Sequence, residues 1–107
     1  MSNTGYEEVF KPYSGSMDFS SILSHITSQK NASDEIAEKA LNGGISEEDA
    51  KEIILLMNKA ATSLKATVAV FTEMHKDVSP KEKKTLSDAI ERLEGMSNRF
   101  KVINQLK

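Results

Sequence analysis

The chain has 107 residues, of which 38% are hydrophobic, 14 are basic and 16 are acidic, so its formal net charge is −2. This length fits one domain with one hydrophobic core, and the balanced charge gives no sign of a nucleic-acid-binding surface. The chain has no cysteine, which excludes disulfides, thiolate catalysis and the common cysteine-ligated zinc sites.

The sequence also carries no targeting signal that we recognise. It lacks the basic stretch followed by an apolar run that marks a secretory signal, and no window approaches eighteen uninterrupted apolar residues. We therefore expect a cytoplasmic protein that does not insert into a membrane. Export without a cleaved signal, as in type III systems, has no simple compositional mark and stays open.

Residues 1–17 are predicted to form a flexible, irregular tail. They hold two of the five glycines and one of the two prolines, and they show no helical periodicity. The tail also carries Tyr6, Phe10 and Tyr13, which are half of the six aromatic residues. These side chains either fold back onto the helices and cover apolar surface, or form a short linear motif that binds another protein. We therefore name them as candidate partner-binding residues.

The next segment predicts helical structure over about residues 19–42. Asp18 offers an N-cap, and the polar stretch 27–33 interrupts the apolar positions that follow it. Two arrangements fit this pattern: one continuous helix, or two short helices that meet near Lys30-Asn31. The apolar stripe consists of Phe19, Ile22, Leu23 and Ile26 before the interruption and Ile36, Ala37, Ala40 and Leu41 after it.

Two longer helices follow, at about 47–76 and 80–105. Glycines after Asn42 end the preceding helix, Ser46 caps the first of the two, and the turn at Ser79-Pro80 separates them. A seven-residue apolar repeat runs through both, with Ala50, Met57, Leu64 and Phe71 in one and Leu86, Leu93 and Phe100 in the other.

Because the connecting turn is short, the two long helices are predicted to form an antiparallel hairpin. Its register pairs Phe71 with Leu86, Leu64 with Leu93 and Met57 with Phe100. The N-terminal helical segment completes the hairpin into a three-helix bundle, so the fold class is all-α and residues 18–107 form a single helical domain.

The helix at 47–76 carries more apolar surface than one neighbour can cover. Residues 53–57 are a run of five apolar side chains and residues 68–71 a run of four, so more than one face of the helix needs cover. Either the segment 19–42 supplies that cover, or part of the surface meets another molecule. Leu55, Leu56 and Val70 are therefore further candidate partner-binding residues.

No motif predicts catalysis, a cofactor or a metal. Glu73, His75 and Asp77 are two residues apart, a spacing that points side chains on a helix in different directions. Gly43-Gly44 lacks the strand and the lysine of a phosphate loop, and no serine lies in a nucleophile motif. We expect a protein that is not an enzyme, with no cofactor, metal, nucleic acid or small-molecule substrate.

One resemblance covers about half of the chain. The order Phe19, Leu23, Ile26, then residues 37–40 (AEKA), a glycine turn and residues 56–64 (LMNKAATSL) resembles small flagellar rod or type III secretion rod subunits. The resemblance implies a short, cysteine-free helical protein that polymerises through helix packing. After Phe71 the chain departs from that pattern, because a capped helix stands in place of a terminal apolar one.

The sequence thus predicts a non-enzymatic helical protein–protein interaction module of adaptor, inhibitor or chaperone type. It acts through a helix face, its N-terminal tail or both, on a protein partner or a second copy of itself. The alternative is a self-assembling structural subunit of a secretion or flagellar rod-like assembly.

Overall fold

Four α-helices make up the computed structural model, which describes residues 5–105. Helix α1 is one turn, Tyr6–Val9, and three long helices follow it: α2 (Phe19–Leu41), α3 (Glu47–Met74) and α4 (Pro80–Gln105). Residues 5–105 contain no strand. The three long helices pack together, which confirms the all-α class and the predicted number of packed helices.

Side chains at the helix ends explain where the helices start and stop. Asp18 accepts a hydrogen bond from the amide of Ser21 at 2.8 Å and so satisfies one of the free N–H groups at the start of α2. At the start of α4, Ser79 Oγ accepts from the amide of Glu82 at 3.1 Å, and Glu82 Oε1 accepts from the amide of Ser79 at 3.3 Å. Gly43, at φ 76°, ends α2 in the left-handed region that costs glycine no strain.

Residues 19–41 form one continuous helix, although the polar stretch in the sequence allowed two. Two polar side chains in this stretch, Gln29 and Ser33, are buried and hydrogen-bonded. Ser33 Oγ donates to the backbone oxygen of Gln29 at 2.8 Å, one turn earlier in the same helix. The gap in the apolar stripe therefore interrupts the hydrophobic surface without interrupting the helix.

Two apolar clusters fill the interior, and α2, α3 and α4 contribute to both. The first cluster contains Phe10, Ile36, Ala37, Ala40, Ile45, Ala50, Ile53, Met57, Ala60, Met96, Phe100 and Ile103. The second cluster contains Ile22, Ile26, Leu64, Phe71, Leu86, Ala89, Ile90 and Leu93. Each pair of residues that the sequence analysis matched between the two long helices thus lies within one cluster.

Helix α4 is the helix against which both other long helices pack. α2 and α3 each lie along it, whereas they approach each other at few positions. The resulting body is flat, with extents of 47 × 27 × 16 Å. α4 covers most of the inner side of α3, α2 reaches it at few positions, and the opposite side of α3 is exposed to solvent.

The N-terminal segment packs on the helices. We call residues 5–17 the N-terminal arm; residues 1–4 of the predicted tail lie outside the described part of the chain. The arm contains one helical turn, and Phe10 is only 4% exposed within the first cluster. Burial of a phenylalanine side chain contributes about 1.5–3 kcal/mol. Tyr6, Tyr13 and Met17 also pack on the two clusters, so several apolar contacts hold the arm to the bundle.

Candidate interaction surface

The outer face of α3 is the most apolar exposed surface that we find on a long helix. We define it by its exposed residues Leu55, Thr62, Ala66, Ala69, Val70 and Met74. Leu55 is 67% exposed, Val70 48% and Met74 62%. Single apolar residues on a surface are ordinary, but several on the same side of one helix mark an interaction site more often than chance placement.

Few charges interrupt this face. Between Leu55 and Met74 the sequence contains only Lys59, Lys65 and Glu73 as charged residues. Lys65 is turned toward α4, where its Nζ lies 2.7 Å from a carboxylate oxygen of Glu94. Lys59 and Glu73 are exposed on the face itself, near its two ends. Between them the face is formed by the small side chains of Thr62, Ala66 and Ala69, which allow another helix to come close.

The composition of α3 is unusual for a helix so exposed. Of the described helices it alone is long and apolar enough to cross a membrane by length and composition, a test that the core helix of a soluble protein also passes. Only 28% of its most apolar 18-residue stretch is buried. Its inner side supplies Ile53, Met57, Leu64 and Phe71 to the two clusters, and much of the remaining apolar surface faces outward.

Of the three α3 residues predicted to bind a partner, two lie on the outer face and one lies at its edge. Leu55 and Val70 lie on the outer face, about 22 Å apart along the helix axis. Leu56 is half-buried and packs against the first cluster, so it lies at the edge of the face. Met74 belongs to the exposed set as well, and its place on the same apolar helix was the signal that would have identified it.

The three aromatic residues of the arm lie against the bundle. Phe10 is buried, and Tyr6 is half-buried and packs on the first cluster. Tyr13 packs on the second cluster, and its ring meets that of His25 edge to face with 5.1 Å between centroids. The Tyr13 hydroxyl also donates to the backbone oxygen of Ser16.

Two side chains of α2 hold the arm, and the sequence analysis assigned neither a role. Gln29 Nε2 donates to the backbone oxygen of Lys11 at 3.1 Å and to that of Val9 at 3.4 Å. The same nitrogen lies 3.1 Å from Nε2 of His25, one turn earlier in the helix. The signal for this contact was the position of Gln29 three residues after Ile26, on the side of the helix that the apolar residues mark as buried, because a buried amide needs partners.

Two ionisable groups near the start of α2 have shifted pKa values. Burial lowers the pKa of His25; a hydrogen bond to the backbone of Lys11 opposes this shift and the charge of Lys11 adds to it. Hydrogen bonds from the backbone and side chain of Ser21 lower the pKa of Asp18, as expected for a capping carboxylate. In residues 5–105 no group of three His, Asp or Glu side chains is arranged to hold a metal ion.

Comparison of the chain with protein-family models, with curated proteins and with solved structures finds no match. We therefore derive a function from the geometry and chemistry of its surface.

Proposed function

We propose that this protein is a non-enzymatic helical interaction module, of adaptor, inhibitor or chaperone type, that presents the outer face of α3 to a protein partner. The observation that carries the proposal is the exposure of Leu55, Val70 and Met74 on a helix whose other side is core. A long apolar helix face with few charges is the kind of surface that a groove or a second helix covers.

Two polar contacts at the flank of α3 add to its apolar packing on α4, which favours binding by a rigid surface. Ser97 Oγ of α4 donates to Asn58 Oδ1 of α3 at 2.8 Å, and the pair of Lys65 and Glu94 links the same two helices. A surface that is already ordered loses little conformational freedom when a partner binds, so more of the contact energy appears as affinity.

The finer architecture forms part of this proposal. We propose that α3 and α4 form an antiparallel hairpin closed at Ser79-Pro80, and that residues 18–107 act as one domain. The shared clusters support it, because residues near the turn occur in one cluster and Met57 and Phe100, far from the turn, occur in the other.

The alternative is that the partner is a second copy, which makes the protein a self-assembling subunit of a rod-like assembly. The small residues Thr62, Ala66 and Ala69 between Leu55 and Val70 support this alternative, because two copies of α3 could approach closely there. Light scattering over a concentration series separates the two cases, since only self-assembly gives a molar mass that rises with concentration.

A photocrosslinking amino acid on the outer face tests the main proposal. We expect a crosslinker at Ala66 to capture one defined protein in cells that naturally produce the chain, and one at exposed Asn98 on α4 to capture none. Adding Leu55→Glu and Val70→Glu to the Ala66 probe should abolish the crosslink, whereas Val102→Glu, at a residue that is 53% exposed on α4, should preserve it.

Circular dichroism of each variant checks that the helices remain intact, as expected for exposed positions. Equal crosslinking from both probe positions, or a crosslink that survives the two glutamates, would contradict the proposal.

A further inference from the structure

Two opposite charges lie on the outer face of α3 at equal distances from its middle. Lys59 stands seven residues before Ala66 and Glu73 seven residues after it, and all three residues are exposed. Positions seven apart on a helix differ by only about 20° in direction, so the three side chains lie close to one line along the face. The rise of an α-helix puts each charge about 10 Å from Ala66 along the axis.

Neither charge is paired with another described residue. No ion pair joins Lys59 or Glu73 to any residue within 5–105, whereas Lys30, Lys65 and Lys84 have carboxylate oxygens at 2.7, 2.7 and 3.1 Å. A face that is positive toward one end and negative toward the other is complementary to the same face turned end to end. The charges therefore indicate what covers this face, which its apolar side chains alone do not.

We propose that, in the free protein, two copies of the chain cover the middle of each other's outer face as an antiparallel dimer with a two-fold axis at Ala66. This axis sets Lys59 of each copy opposite the second copy's Glu73, so the same ion pair forms twice. A parallel pairing would set lysine against lysine and glutamate against glutamate, which is repulsive. The two charges thus select both the direction and the register of the pairing.

Small side chains occupy the stretch between the charges. Along the helix axis, Thr62 lies within about 1.5 Å of the level of the second copy's Ala69, and Ala66 meets its own counterpart. Side chains of this size let two helices approach to about 8 Å, the short end of the usual range. The middle of the face therefore fits a second copy in shape as well as in charge.

This inference rests on the proposed function, because it concerns what covers the outer face before the partner binds. The partner and the second copy need the same residues, so the dimer has to open when the partner binds. Leu55 is 67% exposed and lies beyond the paired stretch. A partner that covers the whole face therefore gains a contact that the second copy does not make.

The dimer is closed, because the two-fold axis uses the outer face of both copies. Light scattering of the full chain from micromolar to millimolar concentration should give a molar mass that rises from one copy to two and stops there. Growth beyond two copies, and not the rise to two, then marks the rod-like alternative and would overturn the closed dimer. A molar mass that stays at one copy would also overturn it, but would leave the proposed function standing, since a different protein can still bind the face.

Charge reversal tests the ion pairs. Lys59→Glu makes both charges of the face negative and Glu73→Lys makes both positive, so each variant alone should dimerise at least about tenfold more weakly than the wild type. An equimolar mixture of the two variants should recover the wild-type affinity, because every acidic side chain then faces a basic one.

Lys83→Glu and Glu91→Lys make the same charge changes at exposed positions of α4, away from the outer face, and should dimerise like the wild type. Circular dichroism checks that each variant is folded. A mixture that stays monomeric would overturn the proposal, and so would an equal loss of affinity in the two α4 variants.

Disulfide trapping tests the direction of the pairing, since the chain has no cysteine of its own. In the antiparallel dimer Thr62 is about 12 Å along the axis from the second copy's Thr62, but nearly level with its Ala69. A mixture of Thr62→Cys and Ala69→Cys should therefore form a crosslinked dimer under mild oxidation, and neither variant alone should do so. Crosslinking of Thr62→Cys alone as fast as that of the mixture would overturn the antiparallel arrangement.

Discussion

Ser97 and Asn58 join α4 to α3 by a hydrogen bond of 2.8 Å between their side chains. Ser97 is buried on α4, whereas Asn58 lies on an exposed part of α3. We predict a coupling free energy of about 1 kcal/mol between Ser97→Ala and Asn58→Ala in a double-mutant cycle, because each change removes the same bond. Urea denaturation of the four proteins measures it. Strictly additive effects would show that the bond contributes nothing to folding.

Phe10 should contribute to stability although it lies outside the three long helices. We predict that Phe10→Ala lowers the free energy of unfolding by about 2 kcal/mol, because the change removes one buried aromatic side chain from the first cluster. The neighbouring Val9→Ala is the control, because Val9 is 36% exposed and should cost far less. Thermal denaturation of both variants measures this difference. Equal losses of stability in the two variants would mean that Phe10 does not anchor the arm.

Asp18 should make stability depend on pH in acid. Its pKa is lowered in the folded protein by the hydrogen bonds from Ser21, so its contribution is present above the ordinary pKa of 3.8 and is lost as the pH falls through the lowered value. Asp18→Asn keeps the cap without a titrating group. We predict that the wild type loses more stability than this variant between about pH 5 and pH 2, measured by urea denaturation. Parallel pH curves would contradict this role.

Gly95 and Gly43 should respond to alanine in opposite directions. A Cβ at Gly95, within α4, meets nothing within 4 Å, so Gly95→Ala should stabilise the protein by about 1 kcal/mol through its better helix propensity. Gly43 also has free space, but its φ of 76° disfavours any side chain, so Gly43→Ala should destabilise by about 1 kcal/mol. Melting temperatures of the two variants measure this contrast. A rise in both melting temperatures would show that free space outweighs backbone conformation at Gly43, and a fall in both would contradict the gain expected at Gly95.

The helix boundaries could be predicted closely because local signals determine them. Asp18 and the pair Ser79-Pro80 mark two starts at the residues where the structure has them. The end of α3 falls at Met74, two residues before the predicted end, because His75 leaves the helical conformation and its ring packs on Phe71 with 4.9 Å between centroids. A ring contact of this kind has no signature in the spacing of apolar residues.

The arrangement of the helices was less predictable than their limits. The apolar richness of α3 indicated a helix covered on more than one face, yet α4 is the one with neighbours on both sides. Composition reports how much apolar surface a helix has, not whether its own chain covers that surface. The position of the arm was also hard to predict. The hydrogen bonds from Gln29 go to residues 18 and 20 positions earlier in the chain, and the local spacing of apolar residues does not indicate contacts over that distance.

The position of α4 between its neighbours has a consequence for synthesis of the protein. Both clusters take residues from this helix, and it is the last of the described helices to be translated. Until α4 leaves the ribosome, the apolar side chains of α2 and α3 that pack on it remain exposed to solvent. We therefore expect the nascent chain to need protection from aggregation for most of its translation, and to complete its fold only once Phe100 and Ile103 have emerged.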